Sequence, residues 1–195
     1  MSNYHIKHLE EYFQVYRKSV RNPEAFWEEV AEEHFFWRKR WDSVLEWDFT
    51  KPEVKWFDGA QLNITENCID RHLRSRGDKT AILFEPNDPK EEAEHITYTQ
   101  LHERVCKFAN VLKDKGVKKG DRVVIYLPMI PELAISVLAC ARIGAIHSVV
   151  FAGFSSTALA TRINDCDAKM VITSDGSFRG SKTIDLKGIV DEALK

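Results

Sequence analysis

One apolar stretch, residues 121–155, constrains the fold of this chain more than any other part of it. Residues 123–127 form an unbroken apolar run, which is typical of a parallel strand covered on both faces. Pro128 and Pro131 end this run, and Pro131 suits the first position of a helix, where a proline loses no hydrogen bond. The helix that follows is apolar on nearly every side, and residues 146–151 are predicted to form a second buried strand. The stretch therefore predicts a right-handed β-α-β unit with a buried helix.

The same alternation of strands and helices extends on both sides of this stretch. From residue 96 onward the patterns follow one another in the order β-α-β-α-β-α-β-α. This order favours an α/β fold with a doubly wound sheet. Residues 80–84 are predicted to form a further strand, residues 85–94 a polar surface loop, and Thr99 the start of a helix.

The first 60 residues differ from the rest in their density of aromatic side chains. All five tryptophans lie before residue 57. Asn22 and Pro23 are predicted to begin a helix that runs to Arg40, and its residues 38–40 are interpreted either as a favourably charged helix end or as an anion-binding patch. Two short helices cannot bury five tryptophans against each other. We therefore expect residues 1–60 to be a helical extension that wraps a main domain, residues 61–195.

Charge and hydropathy exclude several classes of partner. The formal net charge of −2 gives no global basic field for nucleic acid or an anionic membrane. No apolar run reaches the length of a membrane span, and the N-terminus lacks the apolar segment of a signal peptide. We expect a cytoplasmic protein without nucleic-acid or membrane partners.

The cysteines are expected to be buried free thiols in a reducing compartment, because none belongs to a CxxC pair and each lies in an apolar or helical context. Cys68 is predicted to face inward with Ile69 and Leu73, on a helix capped by Asn63 or Thr65. The other three cysteines are Cys106, Cys140 and Cys166.

Most short catalytic and phosphate-binding motifs are absent from the sequence. It contains neither GxxxxGK[ST] nor GxGxxG, and no HExxH, GxSxG or EF-hand loop. We therefore assign no catalytic residue and no metal ligand. His147, at the second strand of the opening unit, is either catalytic or a histidine of the core or of a strand edge.

One loop, residues 174–183, has the composition of an anion site. It follows a predicted strand at residues 170–173, and ligands of open α/β sheets bind at the carboxyl ends of strands. Gly176 and Gly180 allow backbone N–H groups to approach a ligand, while Arg179 and Lys182 supply two cations. A flexible charged turn is the alternative interpretation.

Three segments together carry a resemblance to a known family. The motifs NCIDRHL, LPMIPE and ACARIGAIHSVVFAGFS, with the aromatic N-terminal region, resemble the acetyl-CoA synthetases. These are AMP-forming acetate–CoA ligases of the adenylate-forming superfamily. The resemblance covers essentially the whole chain and matches the N-terminal portion of the family, so it implies an incomplete doubly wound sheet layer of the large AMP-binding domain.

The resemblance implies a two-step reaction. Acetate attacks the α-phosphate of ATP, assisted by Mg²⁺, to give acetyl-adenylate and pyrophosphate, and the thiol of CoA then displaces AMP to give acetyl-CoA. In the family, the loop that matches Arg179, Gly180, Ser181 and Lys182 contacts the 3′-phosphate end of CoA. The segment that matches Phe151, Ala152 and Gly153 lies near the CoA path. Two positions depart from the family: Lys182 replaces a second arginine, and Ala152 replaces the first glycine of a pair.

The family's ATP phosphate loop, acetate-pocket tryptophan, adenosine-binding aspartate and catalytic lysine lie downstream of the part that this chain matches. We therefore expect these 195 residues to carry part of the CoA site without catalysing adenylation, with the remainder of the chain completing the fold. Three alternatives remain open: the N-terminal part of a propionyl-CoA synthetase, a scaffold module that pairs through its edge strands, and a regulator that senses CoA.

Overall fold

The computed structural model describes residues 6–195. The chain divides into two compact units, an N-terminal unit that ends at Asn67 and a C-terminal unit that begins at Cys68. Within the described part of the chain, no helix combines the length and the apolar character needed to cross a membrane.

The N-terminal unit begins with two helices, α1 (Leu9–Arg21) and α2 (Pro23–His34). The side chain of Asn22 accepts a hydrogen bond from the backbone N–H of Ala25, and Pro23 occupies the first turn of α2. Both predictions for the start of this helix are therefore confirmed. The cap works because the first N–H groups of a helix have no partner within it.

The predicted extension of α2 to Arg40 is wrong, because the helix ends at His34 and Phe35 is extended. Asn67 accounts for this end: its side-chain oxygen accepts from the N–H of Phe36 at 2.7 Å, and its side-chain nitrogen donates to the carbonyl oxygen of Phe36 at 3.0 Å. The three cations that were assigned to a helix end pair instead with carboxylates: Arg38 with Glu66, Lys39 with Asp42, and Arg40 with Glu32.

The N-terminal unit also contains an antiparallel hairpin that the sequence patterns did not predict. Its strands are β1 (Ser43–Asp48) and β2 (Glu53–Asp58). Phe57 packs against two tryptophans, with ring centroids 5.6 Å from Trp37 and 5.0 Å from Trp41. Part of the aromatic content of the first 60 residues is thus used inside this unit.

The C-terminal unit is a mixed α/β structure. A π-helical turn (Glu66–Asp70) leads into it from the first unit. The elements that follow are, in chain order, α3 (Arg71–Arg76), β3 (Thr80–Phe84), β4 (Glu94–Thr97), α4 (Tyr98–Asp114), β5 (Arg122–Tyr126), α5 (Pro131–Ile143), β6 (Ile146–Val149), α6 (Ser156–Asp165), β7 (Met170–Thr173), β8 (Ser177–Arg179), β9 (Lys182–Ile184) and α7 (Leu186–Ala193).

The centre of this unit is a three-stranded parallel sheet in the order β6-β5-β7. Alternate side chains of β5 enter two different clusters. Val123 and Ile125 pack with residues of α4 and α5, whereas Val124 and Tyr126 pack with residues of α6 and α7. The predicted order of elements is present as β5-α5-β6, with the two strands parallel, and β5 is covered on both faces.

The cysteine prediction is correct for one thiol and wrong for another. Cys140 is buried, and its burial raises the pKa of the thiol to about 11. Cys68 is exposed, although Ile69 beside it is 1% exposed. Cys68 lies in the π-helical turn, whose side-chain period differs from that of the regular helix on which the prediction was based. Cys106 and Cys166 are half-buried.

An ion pair joins the π-helical turn to α5. Arg142 donates to both oxygens of Asp70, at 2.9 and 2.7 Å, and His102 Nε2 lies 3.2 Å from Asp70 Oδ1. The side chains of Arg142 and Asp70 are only 23% and 28% exposed. The hydrogen bonds from Arg142 hold the pKa of the Asp70 carboxyl below its ordinary 3.8.

We expect Arg142→Met to lower the free energy of unfolding at pH 7 by roughly 1–2 kcal/mol, because it leaves a poorly solvated carboxylate without its partner. Since the folded pKa of Asp70 is depressed, its contribution is complete above pH 3.8 and is lost as the pH falls through the folded value. The difference in the free energy of unfolding between the unsubstituted chain and Arg142→Met, measured with urea, should therefore become smaller as the pH falls below 3.8.

Arg104→Met is the matched control, because Arg104 pairs with Glu94 but both side chains are 40% exposed. We expect it to cost less than about 0.5 kcal/mol. An equal cost for both variants, or a difference for Arg142→Met that does not depend on pH, would contradict this account.

The prediction of a buried strand at residues 146–151 is wrong, because β6 ends at Val149 and forms one edge of the parallel sheet, where its side chains are largely exposed. Ile146 is 54% and Val149 is 50% exposed, and His147 is exposed as well. His147 is therefore at a strand edge and not in the core. An exposed apolar edge presents unpaired backbone groups to which another strand can add.

We expect the chain to self-associate with rising concentration through this edge, and Val149→Lys to weaken the association several-fold. The measurement is size-exclusion chromatography with light scattering over a concentration series. Val111→Lys is the control, because Val111 is 46% exposed but lies on a helix surface without open backbone groups. Equal effects of the two lysines would show that general charge repulsion, and not the edge, controls association.

Candidate functional site

The C-terminal unit contains an open cleft at the carboxyl ends of its parallel strands. Its volume is about 1150 Å³. Three stretches that line it lie at or beyond the ends of β5, β6 and β7, at residues 127–130, 149–153 and 174–181. The rest of the lining is formed by residues 84–88, Glu91, Leu133 and Ile184. The position agrees with the rule that ligands of open α/β sheets bind beyond the carboxyl ends of the strands.

Tyr126 connects the core to the turn between β6 and α6. It is the last residue of β5 and is 0% exposed, and its hydroxyl donates to the carbonyl oxygen of Phe154 at 2.7 Å. Burial raises the pKa of this phenol, so it remains a donor at neutral pH. The bond fixes the turn between β6 and α6, whose first N–H groups are capped by Ser155.

The turn between β6 and α6 presents an aromatic side chain to the cleft. Phe151 is 65% exposed and lines the cleft together with Ala152 and Gly153. A Cβ at position 153 would come within 2.5 Å of the Phe151 ring. Gly153 therefore makes room for this ring in its present position, and a larger residue would have to move it.

The predicted anion loop is a regular hairpin formed by β8 and β9. Arg179 pairs directly with Lys182, and the two-residue turn between them is Gly180-Ser181. Gly180 has a φ of +60°, while Ser181 does not have a positive φ, which matches a type II′ turn. The turn chemistry explains why a glycine stands at this position.

The hairpin brings two positive charges together without a carboxylate between them. Residues opposite each other in an antiparallel pair project on the same face, and like charges there are destabilising. Among residues 6–195, neither Arg179 nor Lys182 forms an ion pair. A bound anion would relieve the repulsion and accept charge-assisted hydrogen bonds from both side chains.

The structure brings most of the predicted site residues together. Phe151, Ala152 and Gly153 line the same cleft as Arg179, Gly180 and Ser181, although the two groups are separated by more than twenty residues in the sequence. Lys182 is not part of the lining, and it faces Arg179 from the second strand of the hairpin.

One contributor to the cleft was missed by sequence reasoning. Residues 85–94 were predicted to be only a polar surface loop, yet residues 85–88 and Glu91 line the cleft. Nothing in the composition of this loop distinguishes it from an ordinary solvent-exposed loop. Its place beside the cleft follows from the β3–β4 hairpin that it closes.

The cleft has acidic as well as basic side chains. Glu85, Asp88, Glu91 and Asp175 contribute to its lining, whereas Arg179 is the cation that does so. In the part of the chain that the structure describes, no three histidine, cysteine or acidic residues converge as the ligands of a metal ion would. The positive charge of the cleft is therefore confined to the tip of the hairpin.

Comparison with known proteins gives a consistent result for both parts of the chain. Residues 69–194 match the family model of the AMP-binding enzymes, and residues 12–68 match the model of the acetyl-coenzyme A synthetase N-terminus. The chain belongs to the AMP-binding enzyme family. The predicted resemblance to the acetyl-CoA synthetases is confirmed.

Individual relatives of this AMP-binding family member support the assignment. An acetyl-coenzyme A synthetase from Halorhodospira halophila is 52% identical over 96% of this chain and 29% of its own length. One from Magnetococcus marinus is 55% identical over 95% of this chain and 29% of its own length. The structure of the acetoacetyl-CoA synthetase from Streptomyces lividans superposes with a TM-score of 0.83 at 31% identity, covering 91% of this chain and 27% of that one.

The matched part of these relatives is limited. The chain spans about 29% of the length of the curated acetyl-coenzyme A synthetases that it matches.

We expect Tyr126→Phe to lower the free energy of unfolding by about 1 kcal/mol, because it removes the hydrogen bond to Phe154 and leaves a carbonyl group unpaired. Chemical denaturation at neutral pH measures the change. Tyr98→Phe is the control, since the described contact of Tyr98 is through its ring, 5.5 Å from His72. If the two variants were equally stable, the buried hydroxyl would not hold the turn.

Proposed function

We propose that this chain is the N-terminal part of an AMP-forming acetate–CoA ligase and carries part of its CoA site. The observation that carries the proposal is the cleft, in which the hairpin tip and the turn after β6 line one space. These are the two segments that the family resemblance relates to CoA. The family match over residues 69–194 supports the class of chemistry.

The proposed reaction has two steps. A carboxylate oxygen of acetate forms a bond to the α-phosphorus of ATP, and the bond to the bridging oxygen of pyrophosphate breaks. The sulfur of CoA then bonds to the acetyl carbon, the thiol loses its proton, and AMP leaves with the electron pair of the broken carbon–oxygen bond. ATP, CoA and Mg²⁺ are proposed for the complete enzyme.

In this scheme the hairpin binds the 3′-phosphate end of CoA. Arg179 and Lys182 are the donors, and hydrogen bonds of this charged kind contribute about 1.5–3 kcal/mol each. Lysine offers a point charge where arginine would offer a planar fork, so we assign the larger share to Arg179.

The sheet is proposed to belong to a larger doubly wound layer. Helices cover both faces of β5, while β6 keeps an exposed apolar edge. Further strands added at that edge would bury Ile146 and Val149 and complete such a layer. The wrapping of a main domain by residues 1–60, and a cytoplasmic location, are part of the same proposal.

Acetate is favoured over propionate as the acid. Three curated relatives that are 52%, 55% and 53% identical to this chain are named acetyl-coenzyme A synthetases. The proposed activity is tested by assaying acetate-dependent release of AMP and pyrophosphate with ATP and CoA. Both these 195 residues and the complete natural polypeptide that contains them are assayed. Turnover with propionate and not acetate would reverse the choice of acid, and CoA binding without turnover by the complete polypeptide would favour a CoA-binding module.

We expect Arg179→Ala to weaken the binding of CoA to this chain at least tenfold in calorimetry, because a charge-assisted hydrogen bond is lost. The affinity for 3′-dephospho-CoA should change little. Lys113→Ala, in the last turn of α4, removes the same charge away from the cleft and should leave both affinities unchanged. Equal affinities of the unsubstituted chain for the two ligands would reject the phosphate subsite.

A further inference from the structure

The hairpin formed by β8 and β9 is firmly anchored at its base. The side chain of Asp185 accepts from the N–H of Gly188 at 2.8 Å and so caps α7, directly after β9. In the segment that leads from β7 into β8, the hydroxyl of Ser174 donates to the carbonyl oxygen of Gly176 at 3.0 Å. The base is thus tied to α7 and to the end of β7.

Contacts within the hairpin constrain its tip less than they constrain its base. Its strands are three residues each, and the tip holds the exposed cations Arg179 and Lys182 in opposite positions. Repulsion between them favours opening of the last pair. The position of Arg179 in the cleft therefore depends on what holds the tip from outside.

One hydrogen bond from another wall of the cleft reaches the tip. The side-chain nitrogen of Asn87 donates to the carbonyl oxygen of Gly180 at 3.3 Å. The first central carbonyl of a β-turn takes no part in the turn's own hydrogen bond, which joins the residues on either side. This oxygen is therefore free for an outside donor, and in residues 6–195 no other hydrogen bond joins the loop 85–93 to the hairpin.

The loop that carries Asn87 is ordered by hydrogen bonds to Asp88, the residue that follows Asn87. Asp88 accepts from the N–H of Lys90 through its side chain at 2.9 Å, and from the N–H of Glu91 through its carbonyl group at 3.0 Å. Such an aspartate turn limits the conformations of a short loop. Asn87 is thus presented by a turn of defined shape at the end of β3.

We propose that Asn87 is a positioning residue of the anion subsite: it holds the tip of the hairpin so that Arg179 faces the cleft. It acts through the backbone of Gly180 and does not itself bind the phosphate. This inference rests on the proposed binding of the 3′-phosphate end of CoA to the hairpin. It assigns a function to a loop that had been predicted to be only a polar surface loop.

The test compares Asn87→Leu with the unsubstituted chain. Leucine has nearly the same shape as asparagine but no donor, and it adds no charge near Arg179. Two readouts are used: amide hydrogen exchange of the hairpin in the absence of ligand, and calorimetric titration with CoA and with 3′-dephospho-CoA. Asn87→Ala serves as a second variant, and Glu92→Gln, an exposed side chain of the same loop, is the control.

We expect exchange of the N–H groups of the paired residues Arg179 and Lys182 to become about three- to tenfold faster in both Asn87 variants, while exchange in α6 stays unchanged. Affinity for CoA should fall by a similar factor, and affinity for 3′-dephospho-CoA should stay the same. The double variant with Arg179→Ala should bind CoA no more weakly than Arg179→Ala alone, because both changes act on one contact.

Two results would overturn the inference. One is unchanged exchange at the hairpin tip. The other is an equal loss of affinity for both ligands that adds to the effect of Arg179→Ala, which would indicate a general structural role. If the unsubstituted chain does not distinguish the two ligands, the proposed phosphate subsite fails by itself. The exchange data then still decide whether Asn87 holds the tip.

Discussion

Burial of β5 on both faces is the constraint on which the C-terminal unit depends. Its residues Val123–Tyr126 are each 0% exposed. A strand in this position has no face where a polar side chain could keep its water, so a helical layer must form on each side. The same strand ends at Tyr126, whose buried hydroxyl reaches the turn that carries Phe151. The buried strand therefore helps to position one of the segments that line the cleft.

The parts of the fold that sequence reasoning predicted correctly are those determined by local signals. The apolar run of β5 and the proline at the start of α5 identify the β-α-β unit, and Asn22 with Pro23 identifies the start of α2. The end of α2 was mispredicted because its cause is distant. Asn67, thirty-one residues away from Phe36, binds both backbone groups of that residue. The helical pattern of the sequence does not indicate that a residue so distant will bind the backbone of Phe36.

In the candidate site, too, local sequence signals were informative, whereas features that depend on distant partners were not predicted. Two glycines and two cations after a strand are a local signal that led to the hypothesis of an anion loop, but they did not predict the hairpin that β8 and β9 form. The segment around Phe151 was assigned through family resemblance alone, since periodicity shows only a strand there. The contribution of the loop after β3 could not be predicted, because its acidic and polar residues have no pattern. Its role depends on Asn87 meeting a backbone carbonyl group ninety-three positions later.

The pairing of Arg179 with Lys182 links the stability of the hairpin to ionic strength. Dissolved salt screens the repulsion between exposed cations and so stabilises the hairpin when no ligand is present. The same screening weakens the attraction of the hairpin for a phosphate. Salt therefore acts on this site in two opposed ways, so that the conditions in which the site is best ordered are those in which it attracts an anion least.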